Sequence, residues 1–292
     1  MTDHLLGAHV SAAGGVPAAP PRAGAIQATA MQIFTKQANR WAERECDDCE
    51  RDEFHAALAL TGVQVTIAHD SYLINLASPD ELLRRKSIES FVCELKRCAS
   101  LGLTYLVSHP GNYMDDRDSG IARNADAIAE SLARAPGETV LCLETTAGSG
   151  TSLGATFEEL AEIIGRVPEP YRSRIGVCVD TCHIYSAGYD LVNEYDDVWS
   201  RFDDVLGLGR LRVLHLNDSK TPFSSHRDRH ELIAPSGNLL DGRGQAGREL
   251  AISGDDRARR HRYFPVLIGH AFSLRRCALP VGAPRIGYSS SS

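Results

Sequence analysis

Short apolar runs alternate with longer amphipathic segments along most of the chain. The runs Leu6–Val10, Met31–Phe34, Val65–His69, Tyr105–His109, Val140–Glu144, Gly176–Asp180, Val213–Leu216 and Val266–Ile268 read as strands buried on both faces. Between them, Asp80–Leu101, Gly120–Ala135, Thr156–Ile164 and Glu194–Leu206 carry apolar residues at helical spacing. Thr156 is a hydroxyl cap with Glu159 three residues on, the spacing of a capping box. Pro17, Pro20 and Pro21 crowd the segment after the first strand, so a helix there must begin late or be short. Strand–helix alternation repeated about eight times predicts an α/β protein closed into a (β/α)8 TIM barrel, its last strand–helix unit the least well marked. A doubly wound open sheet is the alternative. The glycines after the first strand, Gly14 and Gly15, have neither dinucleotide nor P-loop spacing, so no nucleotide cofactor is expected. Residues 1–292 read as a single barrel domain, with a divergent C-terminal segment over 234–292.

The way the strands end carries the chemistry. His69, His109, Glu144, Asp180 and His215 each fall at or near the C-terminal end of a different strand. In a barrel those ends surround one mouth. His183 follows Asp180 by three residues, and Asp228 and His230 are two apart, so one loop can deliver two side chains. One polar residue closing one apolar strand is ordinary. Five on five strands form a set of imidazoles and carboxylates of the kind a zinc-type ion takes, and eight residues suggest more than one ion. A carboxylate such as Glu144 can bridge two cations about 3.5–4 Å apart, which activate a shared water while a further cation offsets charge on phosphoryl oxygens. Such hydrolysis needs no side-chain nucleophile. Cys182 adjoins His183, but neighbours in sequence usually point apart, so a Cys–His pair is not expected.

Composition adds limits. An apolar fraction of 43% can fill a substantial core. No run approaches the roughly 18 apolar residues of a membrane span. No basic stretch leads into an apolar run at the N-terminus, so a cytoplasmic protein without a membrane partner is expected. Eight cysteines are scattered and suggest no disulfide framework; Cys46 and Cys49 read as ordinary residues of an acidic loop. The net charge is −7, with nine Arg and four acids over 234–292. That segment is basic and the remainder strongly acidic. Bound divalent cations would offset many of those acids, so bulk charge does not decide whether the partner is nucleic acid.

The motifs GAHVSAAGG, QIFTKQANRW, AHDSYLINLASPD, SHPGN, LETTAG, VDTCHIYSAGYD and HLNDSK…DRHE, running from about Leu5 to Glu231, resemble the endonuclease IV family of apurinic/apyrimidinic (abasic-site) endonucleases. The resemblance implies a (β/α)8 barrel with three zinc ions. It also implies hydrolysis of the DNA backbone 5′ to an abasic site, leaving a 3′-hydroxyl, and repair of blocked 3′ ends in duplex DNA by a monomer. Carried over by motif, His69, His109 and Glu144 hold the first zinc. Glu144, Asp180 and His215 hold the second, and His183, Asp228 and His230 the third, with Glu144 central to catalysis. Tyr72 and Leu73 match residues that enter the DNA at the lesion, where unstacking is cheapest because the base is already missing. Core packing is their plainer reading. Lys36, Arg40, Lys220 and Arg229 are candidate phosphate contacts, each also readable as a solvated charge.

Beyond DRHE the chain departs from the family. A further glutamate, from a strand reading like P-x-I-L-E-T-P, completes the second zinc site there. Aligned on Pro265, that position is Gly269. Three explanations compete: an altered C-terminal coding region, a variant in which His270 or Asp241 supplies the ligand, or a protein that binds damaged DNA without cutting. A metal-dependent sugar isomerase or epimerase on a related barrel is the other enzymatic alternative, but three metals' worth of ligands argues against it.

Overall fold

The computed structural model describes residues 5–231 and 266–269. β1 (Leu6–His9) leads through a 3-10 turn at Val16–Ala18 into α1 (Ala19–Ala25). Pro17 sits in that turn and Pro20 and Pro21 in the first turn of α1, where a missing N–H costs nothing. There follow β2 (Ala30–Phe34), α2 (Asp48–Ala59), β3 (Val65–His69), α3 (Glu81–Leu101), β4 (Tyr105–Ser108), α4 (Arg117–Arg134) and β5 (Val140–Glu144). Next come α5 (Phe157–Arg166), the single-turn α6 (Glu169–Arg172), β6 (Ile175–Asp180), α7 (Thr181–Ala187), α8 (Tyr195–Val205) and β7 (Leu211–Leu216). β8 (Asp218–Ser219) and β9 (His230–Glu231) pair antiparallel as a small hairpin, and β10 (Val266–Gly269) completes the set. The helices begin where their caps place them. Asp80 accepts from Leu82 and Leu83 N–H at α3, and Asp116 accepts from Ser119 N–H at α4. At α5 Thr156 accepts from Glu159 N–H, but the Glu159 carboxylate turns to Gly154 and Ala155 N–H rather than to the cap itself.

β1, β10, β7, β6, β5, β4, β3 and β2 close a parallel barrel in that order. The chain therefore has a (β/α)8-type TIM barrel rather than an open doubly wound sheet. β10 pairs with β7 on one side and β1 on the other, so no edge is left between them. Two core layers follow from the pleat. Ala30, Ile67, Val107, Cys142, Cys178, Val213, Val266 and Ile268 fill the barrel interior. A larger cluster, including Phe54, Phe91, Phe157 and Phe202, packs between barrel and helices. Cys49, expected in a loop, lies in the first turn of α2, which Asp47 caps. The fold of 234–292 as a unit, and the alternative ligands Asp241 and His270, lie outside the described residues.

Side chains two apart along a strand share a face. Counting two residues toward the C-terminal end from the interior layer gives Gln32 above Ala30, His69 above Ile67 and His109 above Val107. The same count gives Glu144 above Cys142, Asp180 above Cys178, and His215 above Val213. On β10 the residue above Val266 is Ile268, which pairs in register with His215. The mouth is thus polar on these six strands and apolar on β10. Gly269 shares its register with Ala8 and Leu216, residues of the outer cluster, and contributes backbone to the rim.

Candidate metal centre

The mouth opens into a cavity of about 370 Å³ lined by His9, Gln32, His69, Tyr72, His109, Glu144, His183, His215, Asn217, Asp228, His230, Ile268 and Gly269. A second cavity of about 210 Å³ shares Tyr72, His109, His183 and Asp228 with it and extends the cleft along the Gly111–Asn112 turn. Gly111 has φ +94°, and a Cβ there would stand 2.4 Å from Asn75 Oδ1, so the turn after His109 and Pro110 requires glycine.

Glu144 is the centre of the site and 1% exposed. Its two oxygens face different imidazoles. Oε2 lies 3.0 Å from His69 Nε2 and 3.5 Å from His109 Nε2, while Oε1 lies 2.8 Å from His215 Nδ1 and 3.6 Å from His183 Nδ1. Burial opposes its charge, but His109 and His215 outweigh that and hold the carboxyl well below its ordinary range. Asp180 also works with both oxygens. Oδ1 caps α7 by accepting from Cys182 and His183 N–H, which fixes the helix that carries His183. Oδ2 accepts from Asn217 Nδ2 at 2.6 Å and lies 3.9 Å from His215 Nδ1.

The β8–β9 hairpin brings Asp228 and His230 over α7. His183 Nε2 stands 3.2 Å from Asp228 Oδ2 and 3.2 Å from His230 Nε2, and His230 Nε2 stands 3.1 Å from Asp228 Oδ1. Two ligands of one tetrahedral zinc, each about 2.0–2.1 Å from it, stand roughly 3.3 Å apart. Three such edges among two imidazoles and a carboxylate fit a shared cation. The opposed His183 and His230 nitrogens sharpen the case, because two lone pairs facing each other need a proton or a cation between them. Burial works against charge on His183, yet Asp180, Asp228 and Glu144 raise its imidazole to about 10. Asp228 is partly buried, but His183 and His230 hold it far below the usual carboxylate range.

All eight sequence-derived candidate ligands therefore lie around one mouth. His69–His109–Glu144 and His183–Asp228–His230 form compact groups as expected. Around the middle position Glu144 groups with Asp180 and His183, or with Cys178 and His215, and Asp180 Oδ2 lies 3.9 Å from His215 Nδ1. Cys182 is no nucleophile: burial first, then Asp180, pushes its thiol up to about 12.

Tyr72 is 66% exposed at the cavity rim, its ring edge-on to Phe34 at 5.3 Å, and Leu73 beside it is half-buried. Tyr72 is therefore not a core residue. Arg40 and Arg229 are exposed, and exposed Lys220 pairs with Glu231 at 3.6 Å. The structure corrects the expectation for Lys36. Its side chain is only 4% exposed, and its ammonium is held by Glu43 and by Ser90 at 2.8 Å. Arg97 joins the same Glu43 at 2.9 Å and Glu94 at 3.0 Å, so Lys36 ties the loop before α2 to α3 and has no face left for a phosphate. Sequence reading missed His9 and Gln32. A glutamine inside the apolar run Ala30–Phe34 was the available signal.

Among the described residues no helix is long and apolar enough to cross a membrane. Residues 22–242 match the family model described as a xylose isomerase-like TIM barrel. The probable endonuclease 4 of Chloroflexus aggregans is 46% identical over 232 residues, covering 78% of this chain and 80% of that one. The probable endonuclease 4 of Geobacter sulfurreducens is 42% identical over 88% of this chain and 85% of its own. Among solved structures, endonuclease IV from Thermus thermophilus superposes with a TM-score of 0.77 at 33% identity, covering 91% of each chain. A D-tagatose 3-epimerase-like protein superposes with a TM-score of 0.65 at 16% identity, a likeness of fold alone. The chain belongs to the endonuclease IV family, within the xylose isomerase-like TIM barrels.

Proposed function

We propose that this protein is a zinc-dependent DNA repair endonuclease that hydrolyses the phosphodiester 5′ to abasic sites in duplex DNA, leaving a 3′-hydroxyl. The carrying observation is the Glu144 carboxylate, whose oxygens divide between the His69/His109 side and the His215/His183 side. One carboxylate placed this way suits two adjacent cations. Zinc held by these residues would activate a water and offset charge on the phosphoryl oxygens. The chain's own groups do the rest. Glu144, Asp180 and Asp228 supply the negative charge that holds cations. Asn217 and the α7 N-terminus keep the Asp180 oxygens in place. Tyr72 stands exposed at the rim where the damaged strand would open, and Arg40 and Arg229 would neutralise phosphates. Three zinc ions suit the eight ligands, and cytoplasmic, monomeric action on abasic or 3′-blocked DNA goes with this reading.

The β10 side makes the proposal specific to this chain. Ile268 and Gly269 line the cavity there and offer no donor side chain. We infer that the position served by Glu144, Asp180 and His215 is one carboxylate short and that incision is slowed. The test is incision of a duplex with a single abasic site, in zinc buffer without magnesium. Wild type is compared with Ile268→Glu, Gly269→Glu and His270→Ala. Slow cleavage by wild type, raised by a glutamate at 268 or 269, supports both statements. Fast wild-type cleavage abolished by His270→Ala would show that the site is completed from that residue. Abasic-site binding without cleavage by any variant would replace the nuclease with a damage-binding protein.

A further inference from the structure

Each metal-facing imidazole has a second nitrogen, and what that nitrogen meets fixes which one can bind a cation. His69 Nδ1 lies 3.0 Å from the main-chain carbonyl of Asp70, and His183 Nδ1 lies 2.8 Å from that of Thr145. A carbonyl can only accept, so in both rings Nδ1 carries a proton and Nε2 is the nitrogen that can turn a lone pair to a cation. His215 differs. Its Nε2 lies 2.8 Å from Gln32 Oε1, and Gln32 Nε2 lies 3.0 Å from His9 Nδ1. The glutamine is 3% exposed, and its two ends are committed to two rings. The far partner of His215 is therefore a side chain that could present either end, not a fixed carbonyl. With the oxygen toward His215, Nε2–H donates to Gln32 and Nδ1, aimed at Glu144 and Asp180, keeps its lone pair for a cation. Turned over, the amide would donate to Nε2, drive the proton onto Nδ1 and close that nitrogen to metal.

We propose that Gln32 is a positioning residue, which accepts from His215 Nε2–H while donating to His9 and so reserves His215 Nδ1 for the cation shared with Glu144 and Asp180. This rests on the metal reading above. It assigns β1 and β2 a part in the site through residues that touch no cation themselves.

The test uses the full chain with Gln32→Met, which keeps the length and loses both polar ends, and Gln32→Glu, which keeps the acceptor. Zinc affinity is read by competition with a chromogenic chelator. Imidazole proton positions are read from long-range 1H–15N spectra, and thermal melting is followed on the zinc-free protein. Gln32→Met should lose about 10–100-fold in affinity for one zinc equivalent, the usual effect of removing a ligand's supporting partner. The other equivalents should stay close to wild type, and the zinc-free melting temperature should fall no further than the loss of two buried hydrogen bonds explains. Gln32→Glu should bind that equivalent at least as tightly as wild type, and wild-type His215 should carry a proton on Nε2. Unchanged affinity in Gln32→Met, a loss spread over every equivalent with a lowered melting temperature, or a wild-type His215 protonated on Nδ1 alone would each overturn the proposal. A wild type that holds no zinc would instead overturn the metal reading, and the Nε2 proton would still decide the role of Gln32.

Discussion

The two sides of the mouth are built differently. On the α7 side, His183, Asp228 and His230 approach one another within 3.1–3.2 Å, and Asp180 anchors the helix beneath them through main-chain N–H groups. On the β7–β10 side, His215 reaches Glu144 at 2.8 Å but Asp180 only at 3.9 Å, and β10 offers Ile268 and Gly269. His215 is steadied by a glutamine side chain, His183 by a backbone carbonyl. A site whose donors already stand in place loses less freedom on binding a cation than one held through a chain of side chains. The first side should therefore bind its cation more tightly.

The largest expected effect comes from erasing the difference altogether. Glu144→Gln removes the carboxylate that serves both sides, so incision should fall by more than the roughly 10–100-fold typical of losing a ligand's support. Steady-state incision rates check this, with zinc content expected to drop as well. Next, His183→Ala should remove the tightest zinc equivalent and His215→Ala the weakest, as read by metal analysis after graded chelation. An equal effect of the two would erase the comparison.

Acid–base behaviour sharpens it. In zinc-free protein His183 is raised from its ordinary 6.5 to about 10. A raised folded-state value contributes stability that is complete below about 6.5 and is lost as pH climbs through about 10. Melting temperatures of chelated protein should therefore decline across that window. Zinc-loaded protein, in which a cation replaces the proton, should not follow that decline. A flat profile for the chelated form would contradict the ion-pair arrangement around His183.

The smallest effects lie outside the cleft. Lys36→Met should destabilise the fold by about 1.5–3 kcal/mol, the worth of hydrogen bonds to charged groups. The salt dependence of DNA binding should not change, since the ammonium is buried between Glu43 and Ser90. Arg229→Ala should do the reverse, leaving melting unchanged and reducing the salt slope by about one.

The barrel was legible because fully buried strands are nearly continuous apolar runs, and five of the eight candidate ligands because a polar residue at the end of such a run breaks its pattern; His183, Asp228 and His230 stood out only by their spacing and motif. Val65–His69 and Val140–Glu144 have the predicted bounds. Other features follow from three-dimensional pairing, which spacing does not encode. Lys36 looks like any surface lysine until Glu43 and Arg97 fold over it. α2 went unread because its apolar face is little more than Phe54. Gln32 and His9 gain meaning only when barrel closure brings the ends of β2 and β1 within reach of His215 on β7. The pleat places Ile268, rather than Gly269, at the inward position of β10, and only strand register reveals that.

The most direct measurement is the number and strength of zinc equivalents held by the wild-type protein, obtained by titrating loaded protein with a chelator and counting metal at each step. We expect the equivalent lost first to be the one that His215→Ala removes, and the equivalent that depends on His183 to be held at least about tenfold more tightly. Equivalents of equal strength, or a first loss that His215→Ala leaves unchanged, would contradict the difference between the two sides of the mouth.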